Sequence, residues 1–130
     1  MKILACIFTL CPVLTGIAFA DPASSADIQD KQFLYKLKLV PRLLASVAWT
    51  DEDNAVVAEH FDRLKALHEE GVLILAGRTL NEDNSQFGIV IFKAATGDIA
   101  KQLMNSDPAV VKGIMTATLF PYRVALIRAP

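Results

Sequence analysis

The run 33-FLYKLKLV-40 alternates, with Phe33, Tyr35, Leu37 and Leu39 on one side and Leu34, Lys36 and Lys38 on the other. A period of two with one wet side predicts a half-buried strand. Pro41 stops it, and 42-RLLASVAW-49 fits a loop or a partial helix. From position 50 the period changes. Thr50 or Asp51 is placed to cap a helix whose first turn carries Asp51, Glu52 and Asp53, acids that suit the positive end of a helix dipole. Gly71 is placed to end that helix in a left-handed turn. On a helical projection Val56, Val57, His60, Phe61, Leu64, Leu67 and His68 share about 140° of arc. Glu59, Asp62, Arg63, Lys65 and Glu69 lie outside it.

The stretch 72-VLILAG-77 is apolar throughout, which predicts an interior strand buried on both faces or across an interface. A polar turn, 81-NEDNSQ-86, separates it from 87-FGIVIFKA-94, so these two strands are expected to pair antiparallel. Thr96 is placed to cap a second helix over 97–106, with Ile99, Leu103 and Met104 on its inner side. Asp107-Pro108 opens a further turn that Gly113 ends. The last segment, 115-MTATLFPYRVALI-127, alternates around Pro121, a residue that requires a bulge or an edge position. Strand, helix, strand, strand, helix, strand is the order of an α+β, ferredoxin-like βαββαβ plait, a four-stranded antiparallel sheet with helices on one face. Phe33, Ile89, Ile91 and Leu119 hint that the other face is apolar as well. A second copy packed sheet against sheet is its natural cover, giving a homodimer.

Composition alters the picture mainly at the amino end. Residues 1–20, MKILACIFTLCPVLTGIAFA, place Lys2 before a long apolar run that closes in Ala18-Phe19-Ala20, ahead of Asp21. Small residues at −1 and −3 form a secretory cleavage pattern, so 1–20 is expected to be a signal peptide. An uncleaved anchor is the alternative, weakened by Pro12 and Gly16. The polar residues 21–32 are expected to be a flexible lead-in, and 33–130 one domain. The expected location is the periplasm or the exterior. Cleavage would remove both cysteines, Cys6 and Cys11, and with them any disulfide or thiol nucleophile. It would also remove Lys2 from 13 basic residues facing 14 acidic ones, taking the net charge from −1 to −2. Such a balance excludes a nucleic-acid surface, and after cleavage nothing marks a membrane partner.

Candidate chemistry centres on the two histidines. Eight helical residues separate His60 and His68 by about 12 Å along the axis, too far to share a metal ion. No metal or organic cofactor is expected. His68, in the last turn, suits the helix's negative end, where a cationic ring gains about 0.3–1 kcal/mol. His60 is mid-helix among apolar residues. It is either a satisfied core histidine or a functional one, because a buried imidazole without partners costs about 1–3 kcal/mol. Asp107 is the candidate partner. As the residue before Pro108 it is placed to cap a turn, which uses one carboxylate oxygen and leaves the other free to orient a ring. Arg78, where the apolar strand emerges, is a candidate for binding an anionic substrate, with a solvated arginine as the ordinary alternative.

Taken together, His60-Phe61-x-x-Leu64-x-x-Leu67, Glu70-Gly71-Val72-Leu73, Ala76-Gly77, the glycine-bearing strand at Gly88, and Asp107-Pro108 with Gly113 resemble the YCII-related (YciI-like) domain family over about residues 33–127. The resemblance implies a ferredoxin-like fold paired into a dimeric α/β barrel, with a His–Asp dyad, here His60 and Asp107, in a cleft near the dimer interface. It also implies small, often aromatic or quinone-like substrates and proton-transfer or elimination chemistry. Two positions depart from the family pattern, Arg78 where a proline is usual and Ala109 where an aromatic is frequent. Two readings therefore stand. One is an acid/base enzyme, in which replacing His60 or Asp107 abolishes turnover and spares stability. The other is a non-catalytic dimeric barrel that binds a small apolar or aromatic ligand.

Overall fold

A computed structural model describes residues 31–128; the expected signal peptide and residues 21–30 of the lead-in lie outside them. Strand β1 runs over Lys31–Leu39 and buries Phe33, Tyr35 and Leu37, the side that alternation picks out. It begins earlier than expected, since Lys31 and Gln32, expected in the lead-in, pair with Ala94 and Lys93. Two short 3-10 turns, Pro41–Leu44 and Ser46–Ala48, make the partial helix.

Helix α1, Asp51–Glu69, starts at Thr50. The Thr50 hydroxyl accepts from the Asp53 amide, and Asp53 accepts in return from the Thr50 amide, a reciprocal capping box. Asp53 also receives both ends of the Arg42 guanidinium, which ties the 3-10 turn to the helix start. The Arg42 bonds, then the Thr50 amide, hold the Asp53 carboxyl far below the usual carboxylate range. Gly71, at φ 72°, turns the chain out of the helix.

Strand β2, Leu73–Arg78, and strand β3, Gly88–Ala94, pair antiparallel as expected. Helix α2, Gly97–Asn105, is capped by Thr96, whose hydroxyl accepts from Ile99. The short helix α3, Pro108–Val111, is capped by Asp107, and Gly113 leaves it at φ 71°. Strand β4, Met115–Tyr122, completes the sheet in the order β2-β3-β1-β4. Strand and helix order together make this an α+β ferredoxin-like plait, with α3 as an addition. Pro121 sits on the edge strand β4, where its missing amide costs no ladder bond.

Four expectations are corrected. Strand β2 is not an interior strand of the sheet: among the described residues it is an edge bonded only to β3, with residues 75–78 exposed in the single chain, which leaves burial across an interface as the standing expectation. Ile99 faces solvent at 46% exposure, and Ala100 takes its inner place beside Met104. Phe33 and Leu119 face the helices rather than the open sheet face, because they share register with Phe92 and Tyr35, both fully buried. On α1 only Val56, His60 and Leu64 are buried among the stripe residues, while Phe61 and His68 lie on one flank.

The main core joins Phe33, Tyr35 and Leu37 of β1 to Val90, Phe92 and Ala94 of β3, under Leu64, Ala100 and Met104 of the helices. A smaller cluster of Leu43, Val56, Ala109 and Ile114 packs α3 and the 3-10 turn against α1. The contact between those two clusters holds the buried polar groups described next.

Candidate active site

Three elements meet at Asp107. Its carboxylate is fully buried, an arrangement that requires hydrogen-bonding partners for both oxygens. Being the N-cap of α3, it accepts from the Ala109 amide at 2.9 Å on Oδ1. Tyr35, from the interior strand β1, donates its hydroxyl to Oδ2 at 2.9 Å. His60, from the middle of α1, places Nδ1 2.8 Å from Oδ1 and 2.8 Å from Oδ2. His60 and Asp107 are thus brought into direct contact across 47 residues of sequence.

The electrostatics fix the proton on the ring. Burial pushes the Asp107 carboxyl toward its neutral form. The His60 hydrogen bond and charge, the Tyr35 hydroxyl and the Ala109 amide outweigh that push and leave the carboxyl below its ordinary value. Asp107 is therefore ionised at neutral pH and only accepts. His60 Nδ1 must then carry the hydrogen it shares with the carboxylate, which leaves Nε2 with a free lone pair when the ring is neutral. Nε2 makes no hydrogen bond among the described residues, and it is not a buried atom lacking a partner; Arg63 Nε is the one found there. The His60 side chain keeps 11% of its surface exposed, and Nε2 is its ring nitrogen without a partner among the described residues.

Position along α1 shows where it looks out. Val56, one turn earlier, lines a polar groove with Arg42, Thr50 and Lys112. Leu64, one turn later, lines an apolar groove with Phe61, His68, Leu73 and Leu75 beside the free edge of β2. His60 lines neither groove and stands between them.

The remaining candidates lie elsewhere. Arg78, at the end of β2, is exposed, and its side chain makes no hydrogen bond or ion pair among the described residues. Its strand is separated from β1 by β3, and it makes no hydrogen bond or ion pair with His60 or Asp107 in the single chain. His68 lies on the flank of the apolar groove. No group of three His, Cys, Asp or Glu residues able to hold a metal ion occurs among the described residues.

Two residues at this site escape sequence reasoning. Tyr35 is assigned by alternation to the buried side of β1 as packing, yet its hydroxyl sits on Asp107. The available signal is chemical: a tyrosine at an inward position needs a partner for its hydroxyl. Arg63, placed outside the apolar stripe, bridges from α1 to the Leu103 carbonyl at 3.1 Å and the Ser106 hydroxyl at 2.8 Å. It secures the end of α2 immediately before Asp107, and nothing in the spacing marks it.

Asp107 also has a larger structural share than the sequence suggests. It caps α3 and satisfies groups from α1 and β1, so its replacement cannot leave stability untouched.

Similarity to known proteins agrees with this architecture. A family model described as the YCII-related domain matches residues 34–120. No curated protein matches the sequence. Among solved structures the chain is similar to 5-chloro-2-hydroxyhydroquinone dehydrochlorinase (TftG) from Burkholderia phenoliruptrix AC1100, in complex with 2,5-dihydroxybenzoquinone. The TM-score is 0.54 at 19% identity, covering 71% of this chain and 93% of that one, a likeness of fold.

Proposed function

This chain belongs to the YCII-related domain family, and we propose that it is a small-molecule enzyme in which His60, oriented by Asp107, moves protons on a hydroxylated aromatic or quinone-like substrate. The observation that carries the reading is the ring's two-sided environment. Nδ1 lies 2.8 Å from both oxygens of a buried carboxylate, and Nε2 has no partner among the described residues. Such a ring accepts a proton at Nε2 while Asp107 stabilises the imidazolium that results. In an elimination, Nε2 takes the substrate proton, the leaving group departs with its bonding electrons, and the protonated ring returns to its resting state by releasing that proton. The dehydrochlorination named for the structural neighbour is of this type.

The test is turnover. Incubation with 5-chloro-2-hydroxyhydroquinone and with halogen-free hydroxyquinones, followed by chloride release and absorbance, should reveal conversion that wild-type protein accelerates. Saturable binding of 2,5-dihydroxybenzoquinone without turnover of any compound would favour the second reading, a barrel that only binds small apolar or aromatic ligands. The apolar groove beside β2 supports that alternative. Arg78, exposed and unpaired among the described residues, is proposed as the cation for an anionic group of either ligand.

A homodimer belongs to the same proposal. Register places Leu34, Leu75, Ile89, Ile91, Phe120 and Tyr122 on the sheet face away from the helices, and Leu75, Phe120 and Tyr122 are 45%, 44% and 43% exposed. An apolar sheet face of this kind suits burial against a second sheet. The wild type should sediment as a dimer and Ile91→Glu as a monomer. A monomeric wild type would refute the dimer. Export is proposed from Ala18-Phe19-Ala20, and the mass of protein from its native host should then correspond to a chain starting at Asp21.

A further inference from the structure

The hydroxyl of Tyr35 is unexplained by packing. Its ring lies 5.6 Å from that of Phe92, edge toward face at 64°, in a core where phenylalanine would fit as well. The side chain is fully buried on an interior strand, paired in register with Val90 and Leu119, so its position is set by the sheet rather than by a loop. From there its oxygen reaches 2.9 Å from Asp107 Oδ2, across 72 residues of sequence. Without it, only the shared His60 Nδ1 would reach Oδ2. The Ala109 amide bonds Oδ1, and His60 Nδ1 sits astride both oxygens without choosing between them.

We infer that Tyr35 is a positioning residue of the dyad, its hydroxyl locking the plane of the Asp107 carboxylate so that both oxygens face the His60 ring. The inference rests on the acid–base reading above and extends it to a third residue. The carboxyl plane turns about one side-chain bond, and the amide and the phenol clamp it from opposite oxygens. Removing the phenol leaves Oδ2 with His60 Nδ1 alone, so the carboxylate plane is free to turn about that side-chain bond and His60 loses a fixed orientation. The phenol also withdraws charge from the carboxylate and keeps it ionised within the core. The titratable and charged groups facing this cluster are His60 from α1 and Tyr35 from β1, with Arg63 of α1 acting on Tyr35 through its charge. Burial first, then the Asp107 charge and hydrogen bond, push the phenol well above its ordinary range, so it remains a donor at every working pH.

The test reads the Asp107 carboxyl carbon by NMR during acid titration, with two changes of opposite sign. Tyr35→Phe removes the donor, and the Asp107 titration should move to higher pH. Global 3-fluorotyrosine in a Tyr122→Phe background labels Tyr35 alone, because the chain has 2 tyrosines. Fluorine acidifies the phenol and strengthens the donor, so the titration should move to lower pH. A phenol that only fills space would leave Asp107 unmoved, or move it the same way in both proteins, and either result overturns the inference. If Tyr35→Phe does not fold, the sign of the shift in the fluorinated protein decides alone: a move to lower pH supports the clamp, and any other result overturns it. The acid–base reading fails separately: a His60→Asn protein with full turnover would sink it whatever Asp107 does.

Discussion

Asp107→Ala is expected to lose about 3–5 kcal/mol of folding stability, the cost of breaking a buried, hydrogen-bonded charge pair from one side. The Tyr35 hydroxyl, the His60 Nδ1–H and the Ala109 amide all end on this carboxylate, and each is stranded in the interior by the substitution. A lost N-cap alone costs about 1 kcal/mol, and each buried unsatisfied donor about 1–3 kcal/mol. The contributions overlap, because α3 can shift to let water reach some of these groups. For a domain of this size the melting temperature should fall on the order of 15 °C or more. The effect depends on pH in a fixed direction. A carboxyl whose folded value is depressed stabilises the fold fully above its unfolded value, about 3.9, and loses that contribution as pH falls through the folded value. The gap between wild type and variant should therefore be wide at pH 7 and narrow in acid. Urea unfolding at both pH values measures it, and an unchanged melting temperature at pH 7 would show that the carboxylate is not the buried hub described.

His60→Asn should instead separate chemistry from folding. An asparagine amide can stand where Nδ1 stands and still donate to Asp107, but nothing remains at the position of Nε2. Turnover should fall by roughly 10²–10⁴, the range for removal of a general acid/base, equivalent to about 3–5.5 kcal/mol of barrier. Stability should fall by only about 1–2 kcal/mol, for the smaller side chain and poorer helix former. Steady-state kinetics and thermal unfolding on the same protein provide the comparison. A variant that loses stability but keeps turnover would make His60 a structural histidine.

These two residues are legible in the sequence for different reasons. Asp107 before Pro108 and Gly113 carries a local signature, a cap followed by a proline and a left-handed exit, and the turn it announces is present as the short helix α3. Thr50, Gly71 and Thr96 are legible in the same way, because caps are written within a few neighbouring residues. His60 is marked by a conflict, an imidazole in an apolar stripe, though that conflict alone allows a core histidine. What periodicity cannot supply is the neighbour of each apolar residue. Strand β2 reads as interior because it is apolar on both sides, yet in the single chain it is an edge. Phe61 and His68 fall within the stripe by angle, but the contact made by α1 is narrower, and both line the groove on its flank. Apolar character alone puts Phe33 and Leu119 on the open face, whereas register puts them under the helices. Tyr35 and Arg63 act over long separations, 72 residues to Asp107 and 40 to Leu103, which no local pattern records.

The ring nitrogens of His60 test the central claim most directly. With histidine labelled at both nitrogens, long-range proton–nitrogen correlation assigns the proton of the neutral ring. The geometry predicts Nδ1–H and a bare Nε2 for His60, with that preference lost in Asp107→Asn. A neutral ring protonated at Nε2, or one indifferent to Asp107→Asn, would contradict it.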